Sequence, residues 1–250
     1  MGAISVLFCF GLVIETEARQ RDYGSQDAAR QSVGLSYSIP NFSPDSPSCL
    51  SRDGDGNCTS TQDYEFSDPI LGLFFSRPGI LVSLARGTQK GVDDEGGDLE
   101  LIETVIHLSG ALRPFPGSRK GMTQFVVPVA LHSGYRRLSA DGSGGSFDRF
   151  ESTVLAIGIG VGVVRESGFT RVSAHLMPFF GLASSSFGLG SGTSSLLDAD
   201  IELTFGPVFG NIGIAAGYSF RWQKWNLEAQ FGSDQDFEGM QHGVRIGVFW

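Results

Sequence analysis

Three acids, Asp198, Asp200 and Glu202, occupy alternate positions in a segment whose intervening residues, Ala199, Ile201 and Leu203, are apolar. On an extended chain, carboxylates in period two share one face, and that face needs water or cationic partners. Cations at matching positions occur elsewhere: Arg113, Arg136, Arg171, Arg221 and Arg245 each sit on the polar face of an alternating segment, as do Glu103, His107, His132 and His175. Such groups can build a salt-bridged lattice, line a narrow selective pore or support acid–base catalysis. The neighbouring pair His132-Ser133 would suggest a nucleophile and its base. Adjacent residues on a strand point to opposite faces, however, so these two cannot share a proton on one side of a sheet.

Two further groups lie in a polar stretch nearer the N-terminus. Asp53, Asp55 and Asn57 are spaced like the first ligands of a calcium loop, in which acids two apart supply hard oxygens. The sixth position is Cys58 where such a loop needs Gly, and the twelfth is Tyr64, with Glu65 one place late. Asp and Gly in alternation also make an ordinary turn. The expectation is therefore no metal and no cofactor, with Asp53, Asp55 and Asn57 as a calcium candidate only. Cys49 and Cys58 would close a small disulfide loop in an oxidising compartment and stay free thiols in a reducing one.

The elements that carry these side chains read as strands. From Phe150 to Val164, Leu155, Ile157, Ile159, Val161 and Val163 alternate with Ala156, Gly158, Gly160 and Gly162, a sorting that no helix produces. The same period runs through 101–113, 124–136, 171–183, 197–209 and 212–223, and, less strongly, through 35–39, 71–75 and 80–84. The tenth segment ends the chain: Val244, Ile246, Val248 and Trp250 lie on one face, and Arg245, Gly247 and Phe249 on the other. No run approaches the roughly 18 to 20 apolar residues of a membrane helix. The 35 Gly and 20 Phe suit a crowded concave side and an apolar convex side. A net charge of -9 argues against nucleic acid as a partner.

The first 18 residues contain an apolar core, residues 2–14, like the h-region of a secretory signal, followed by a polar tail over 19–32. No Lys or Arg precedes that core, and a short buried strand is the other reading. After residue 32 the connections alternate: long at 43–68, tight at Arg77-Pro78, long at 88–97, moderate at 114–122, long at 139–147, tight at 166–168, long at 184–194, tight at Gly210 and long at 226–239. Ten strands place both chain ends on the short-turn side; eight, with Pro78-Gly79 inside one strand and 35–39 excluded, would close equally well.

Taken together, the signal-like start, the alternating segments, the uneven connections and the terminal aromatic strand resemble a bacterial outer-membrane β-barrel protein of no particular subfamily. The resemblance implies an all-β, transmembrane, up-and-down antiparallel barrel over 33–250, with short periplasmic turns and long extracellular loops. It also implies a monomer in outer-membrane lipid, with Val244, Ile246, Val248 and Trp250 read by the barrel-insertion machinery, although the final residue there is most often Phe. Tyr135, Phe169, Phe209, Trp222, Trp225 and Trp250 then fall at interfacial girdles. Within the lumen, the turn at Gly210 places Arg221 opposite Asp200, and a salt-bridged, structural plug is the leading reading, with a narrow channel beside it. Ten strands also resemble the omptin proteases, whose Asp–His pair lies at the outer rim, whereas His107, His132, His175 and His242 fall within strands. An outer-membrane hydrolase is thus the lesser alternative to a non-enzyme. The contrasting class is a soluble secreted β-barrel that points its apolar faces inward around an apolar ligand. Three glycines in period two, at 158, 160 and 162, favour the membrane reading, because small residues belong on the concave side.

Overall fold

The computed structural model of the chain describes residues 31–44, 48–52, 58–62, 65–90, 98–114, 123–140, 149–185, 190–228 and 235–250. The signal segment, the tail to residue 30 and the calcium candidates Asp53, Asp55 and Asn57 lie outside the described residues.

Every described element is a strand: β1 (Ser32–Pro44), β2 (Ser48–Arg52), β3 (Cys58–Gln62), β4 (Ile70–Arg77), β5 (Ile80–Gln89), β6 (Leu99–Leu112), β7 (Thr123–Ala140), β8 (Arg149–Ile159), β9 (Val161–Ser167), β10 (Thr170–Ser185), β11 (Gly190–Phe209), β12 (Ile212–Glu228) and β13 (Gln235–Phe249). β2 and β3 pair only with each other, as a hairpin inside the first long connection. The others form an antiparallel ladder that returns on itself, with β13 against β1 at one seam and β10 against β11 at the other. β8 and β9 are two runs of one wall strand. Their register against β7 and β10 is continuous, and the Gly160 N–H between them is donated to the Pro128 carbonyl at 2.9 Å. The ring thus has ten members. The eight-strand count is overturned, because Leu35 to Ile39 lie inside β1 and Pro78-Gly79 forms the β4–β5 turn, where Gly79 takes a φ of 82° that other residues rarely adopt.

The alternation of each segment now acquires a direction. One large apolar residue or more faces outward on every wall strand, among them Leu35, Leu73, Leu84, Ile106, Phe125, Ile157, Phe180, Ile201, Ile214 and Ile246, all exposed. The opposite faces are the more buried ones and carry Glu103, His107, His132, Arg136, Asp198 and Asp200, all buried. A soluble protein rarely exposes a contiguous apolar patch beyond a few hundred Å². Here the belt encircles the molecule, and closure of the ladder gives every wall strand a partner on both sides. The chain is therefore a transmembrane β-barrel of the outer-membrane type, and the soluble, inward-packed alternative is overturned by the direction of the faces.

The connections sort to opposite ends. Short turns join β4 to β5, β9 to β10 and β11 to β12, and Ser32 and Phe249 pair at that same end. The connection after β6, residues 113–122, also falls at that end, and those after β1, β5, β7, β10 and β12 fall at the other; the one after β10 spans only residues 186–189, shorter than the expected 184–194, because β10 and β11 extend into it. Val244, Ile246, Val248 and Trp250 face outward, and the terminal residue is held by reciprocal backbone hydrogen bonds with Gln31, at 3.0 and 3.2 Å.

One expected register is corrected. Arg221 lies opposite Asp198, and Asp200 opposite Ser219. Between Phe205 and Phe209 the ladder is irregular, so counting from the Gly210 turn overshoots by two positions.

Candidate functional site: the barrel lumen

Parity fills the lumen in layers. Nearest the long connections is an aromatic layer that sequence reading did not anticipate. Phe42 of β1 stacks on Phe237 of β13, with centroids 5.0 Å apart and planes at 4°; it also meets Phe150 of β8 at 4.9 Å and Trp225 of β12 edge-on at 5.4 Å. Leu101, Leu138 and Ile70 belong to the same buried cluster. Phe66, from the segment after the hairpin, joins it fully buried, tied by backbone hydrogen bonds to Phe42 at 2.9 and 3.0 Å. The side chain of Gln89, at the end of β5, clips that segment: its Oε1 accepts the Ser67 N–H at 2.6 Å, and its Nε2 donates to the Glu65 carbonyl at 3.1 Å.

Trp225 is the one girdle residue that the structure moves. It shares parity with Arg221 and Gln223 and is buried inside, whereas Trp222 faces outward and donates its indole N–H to Glu238 at 2.6 Å. Two residues three apart on a strand must lie on opposite faces, a signal already present in the spacing.

Below the aromatics lies the charged layer. Glu103 of β6 accepts from Arg136 of β7 at 2.7 Å and lies 3.6 Å from Arg221 of β12, which is itself 3.5 Å from Asp198 of β11. Gln241 of β13 accepts from Arg136 at 3.2 Å and donates to Glu103 at 3.1 Å and to Ser38 of β1 at 3.0 Å. Arg136 also lies over the rings of Phe42 and Trp225, at 5.4 and 5.0 Å. It thereby couples the two layers by cation–π contact as well as by charge. In the ring order, β7 and β13 are five steps apart in either direction, as are β6 and β12. The Arg136–Gln241 hydrogen bond and the Arg221–Glu103 ion pair therefore run wall to opposite wall.

A third layer holds the histidines. His107 and His132 are cross-strand partners whose rings meet edge-on at 6.2 Å, with Phe179 against both. His175 is half-buried and lies opposite Asp200, which forms an ion pair with Arg245; Arg245 in turn lies 5.8 Å from the Phe74 ring. Glu202 follows, half-buried, toward the short-turn end. Ser133 faces away from His132, so no hydroxyl–imidazole pair forms there.

Two expected members leave this lattice. Arg113 lies past the end of β6 and is exposed, because no wall strand continues to hold it over the lumen. Arg171 pairs with Glu166 at 3.5 Å across the β9–β10 hairpin, at the open short-turn mouth. The cysteines fall in the hairpin outside the ring, where Cys49 pairs with Thr61 and Cys58 with Arg52; their side chains lie outside the described residues. Of the three glycines in period two, Gly158 and Gly162 are buried on the concave side.

No family model matches the chain, and no curated protein matches it. Among solved structures it is similar to the outer-membrane protease OmpT from Escherichia coli, at 10% identity over 92% of this chain and 99% of that one, with a TM-score of 0.49. It is also similar to the translocator domain of the autotransporter NalP from Neisseria meningitidis, at 10% identity, 98% and 95% coverage and a TM-score of 0.36. A third is the toluene transporter TbuX from Ralstonia pickettii, at 10%, 90% and 90%, with a TM-score of 0.26. The barrel assignment rests on the closed ladder and the direction of the faces, and no role is carried over from these proteins.

Proposed function

We propose that this protein is a closed outer-membrane barrel whose lumen is a structural plug and whose work is done by the long connections it holds at the outer surface. The observation that carries this reading is the pair of wall-to-wall links, Arg136–Gln241 and Arg221–Glu103, under an aromatic layer. A barrel of about ten strands leaves little bore once arginine side chains cross it. Beside them, a cavity lined by Glu103, Arg136, Gln223 and Trp225 measures only about 10 Å³. Ions and solutes then have no continuous path. Lipid covers the outward belt, which is apolar on every wall strand, so the expected state is a monomer. The outward Val244, Ile246, Val248 and Trp250 are the surface offered to the insertion machinery during assembly. Purified protein in a planar bilayer should give no stable conductance steps. Reproducible long-lived openings at moderate voltage would refute the plug and restore the narrow-channel reading.

A further inference from the structure

We infer that the outer wall of the barrel carries a docking site for one anionic phospholipid, in a notch beneath the β4–β5 turn where Arg77 and Arg113 meet the headgroup phosphate. The register makes the notch. Ile80, the first residue of β5, lies opposite Leu108 of β6, and the Gly79 carbonyl in the turn accepts the Ser109 N–H at 2.8 Å. β6 then runs on to Leu112, which lies opposite Val127 of β7 and has no described strand on its other side. Residues 109–114 are all exposed there. With about 3.3 Å per residue and a tilt of about 40°, Leu112 and Phe125 stand roughly 5–10 Å beyond the turn, toward the short-turn end. Both face outward, 56% and 62% exposed, so the apolar belt continues on β6 and β7 below a turn that has already closed.

Arg77 follows Leu71, Leu73 and Phe75 on the lipid-facing parity of β4 and is exposed. It is therefore a charge at a level where β6 and β7 still present apolar side chains to lipid. A cation so placed needs water or a headgroup to reach it. Arg113 stands exposed at the end of β6, on the other flank of the notch. Among the described residues neither arginine is in an ion pair. The described acidic side chains toward that end are Glu166, taken by Arg171, and Glu202, on the lumen side. The notch is thus cationic and open to the bilayer. Guanidiniums grip phosphate oxygens through paired hydrogen bonds, and nothing beside them would hold an ammonium group, so the complementary headgroup is an anionic phosphodiester. Leu112 and Phe125 next to it suit its acyl chains. The partner is a glycerophospholipid of the leaflet on the short-turn side. The site rests on the transmembrane reading and is independent of whether the lumen is closed.

The test uses the full protein in nonionic micelles, with phosphatidylglycerol added and retained lipid counted by native mass spectrometry. One phosphatidylglycerol per protein should be retained. Arg77→Gln/Arg113→Gln should weaken that retention by about tenfold or more, the loss of at least one charge-assisted hydrogen bond. Arg77→Lys/Arg113→Lys keeps the charge without the paired geometry and should fall between. Arg165→Gln, at an exposed arginine of the same end on β9, should match the wild type. The heat-dependent gel shift shows that each variant is folded. Undiminished retention in the double Gln variant would overturn the inference. Two comparisons on the wild type need no variant: retention of a diacylglycerol with the same chains equal to that of phosphatidylglycerol would reduce the site to apolar contact, and displacement of the lipid by inorganic phosphate would make it a free-anion site. Either result would overturn the inference as well.

Discussion

Substitution of Glu103 by Gln tests whether the charged layer holds the barrel together. Glu103 is 7% exposed and Arg136 5%, and the carboxylate is the acid paired with Arg136 at 2.7 Å while lying 3.6 Å from Arg221. Glu103→Gln keeps the shape but turns an amide NH2 toward the Gln241 donor and leaves two guanidiniums close together, with Asp198 holding only Arg221. Breaking a buried pair from one side costs about 3–5 kcal/mol. The amide oxygen still accepts a hydrogen bond from Arg136, which offsets about 1 kcal/mol of that. The expected loss is therefore about 2–4 kcal/mol, measured by urea unfolding from lipid vesicles with tryptophan emission and the heat-dependent gel shift as probes. Glu166→Gln, at the half-exposed pair with Arg171, should cost no more than about 1 kcal/mol in the same assay. Adding Arg136→Gln to Glu103→Gln should recover part of the loss, because the orphaned charge goes with it. A Glu103→Gln loss no larger than that of Glu166→Gln would show that the lattice carries no structural load and would refute the reasoning.

Two other outcomes follow from the faces of the wall. Ile157, 64% exposed midway along the wall strand that β8 and β9 form together, should tolerate any apolar replacement, while Ile157→Arg should cost about 2–4 kcal/mol in vesicles, as a charge near the bilayer midplane does; an unchanged unfolding midpoint would mean that the belt does not face lipid. Gly158→Ala brings a Cβ to 2.5 Å from the Phe179 ring, which is buried and cannot swing away, so overpacking of about 1–3 kcal/mol is expected. Phe179→Leu should relieve it, and wild-type stability of the single variant would contradict the packing described.

The plug reading has a physical consequence for how the outer connections are held. Phe66 anchors the first of them by inserting into the lumen, and Gln89 clips the same segment from β5. The aromatic layer thus serves both as a seal and as a mooring. Its stacked and edge-on ring pairs are each worth about 0.5–1.5 kcal/mol beyond simple burial.

Much of this was legible from period two alone. Each wall strand has one apolar and one polar face, and the side-chain period of a strand does not depend on what it packs against, so inward residues such as Glu103, Arg136, Asp198 and Arg221 could be read from parity, while Arg113 and Arg171 could not, because parity does not say where a strand ends. The even count and the tight turns followed from turn residues, as Pro78-Gly79 illustrates, whereas length alone misjudged the connection after β10, which β10 and β11 shorten to residues 186–189. Trp225 and the cluster around Phe42 were hidden for a different reason. An aromatic on a polar-face parity looks the same whether it ends at a girdle or caps a lumen, and only its neighbours across the ring decide which. Phe66 lay in a stretch with no period at all, placed by backbone hydrogen bonds to a strand 24 positions earlier.

What the sequence by itself determined is a closed, two-faced sheet with acids, arginines and histidines turned to one side, because alternation is a local property of an extended chain. Which of those groups meet was decided only by the tertiary structure. The irregularity between Phe205 and Phe209 set Asp198 rather than Asp200 against Arg221, and closure into ten strands brought Arg136 to Gln241 and Arg221 to Glu103 across the full width. Contacts between opposite walls depend on the size and register of the whole ring, which no single segment encodes.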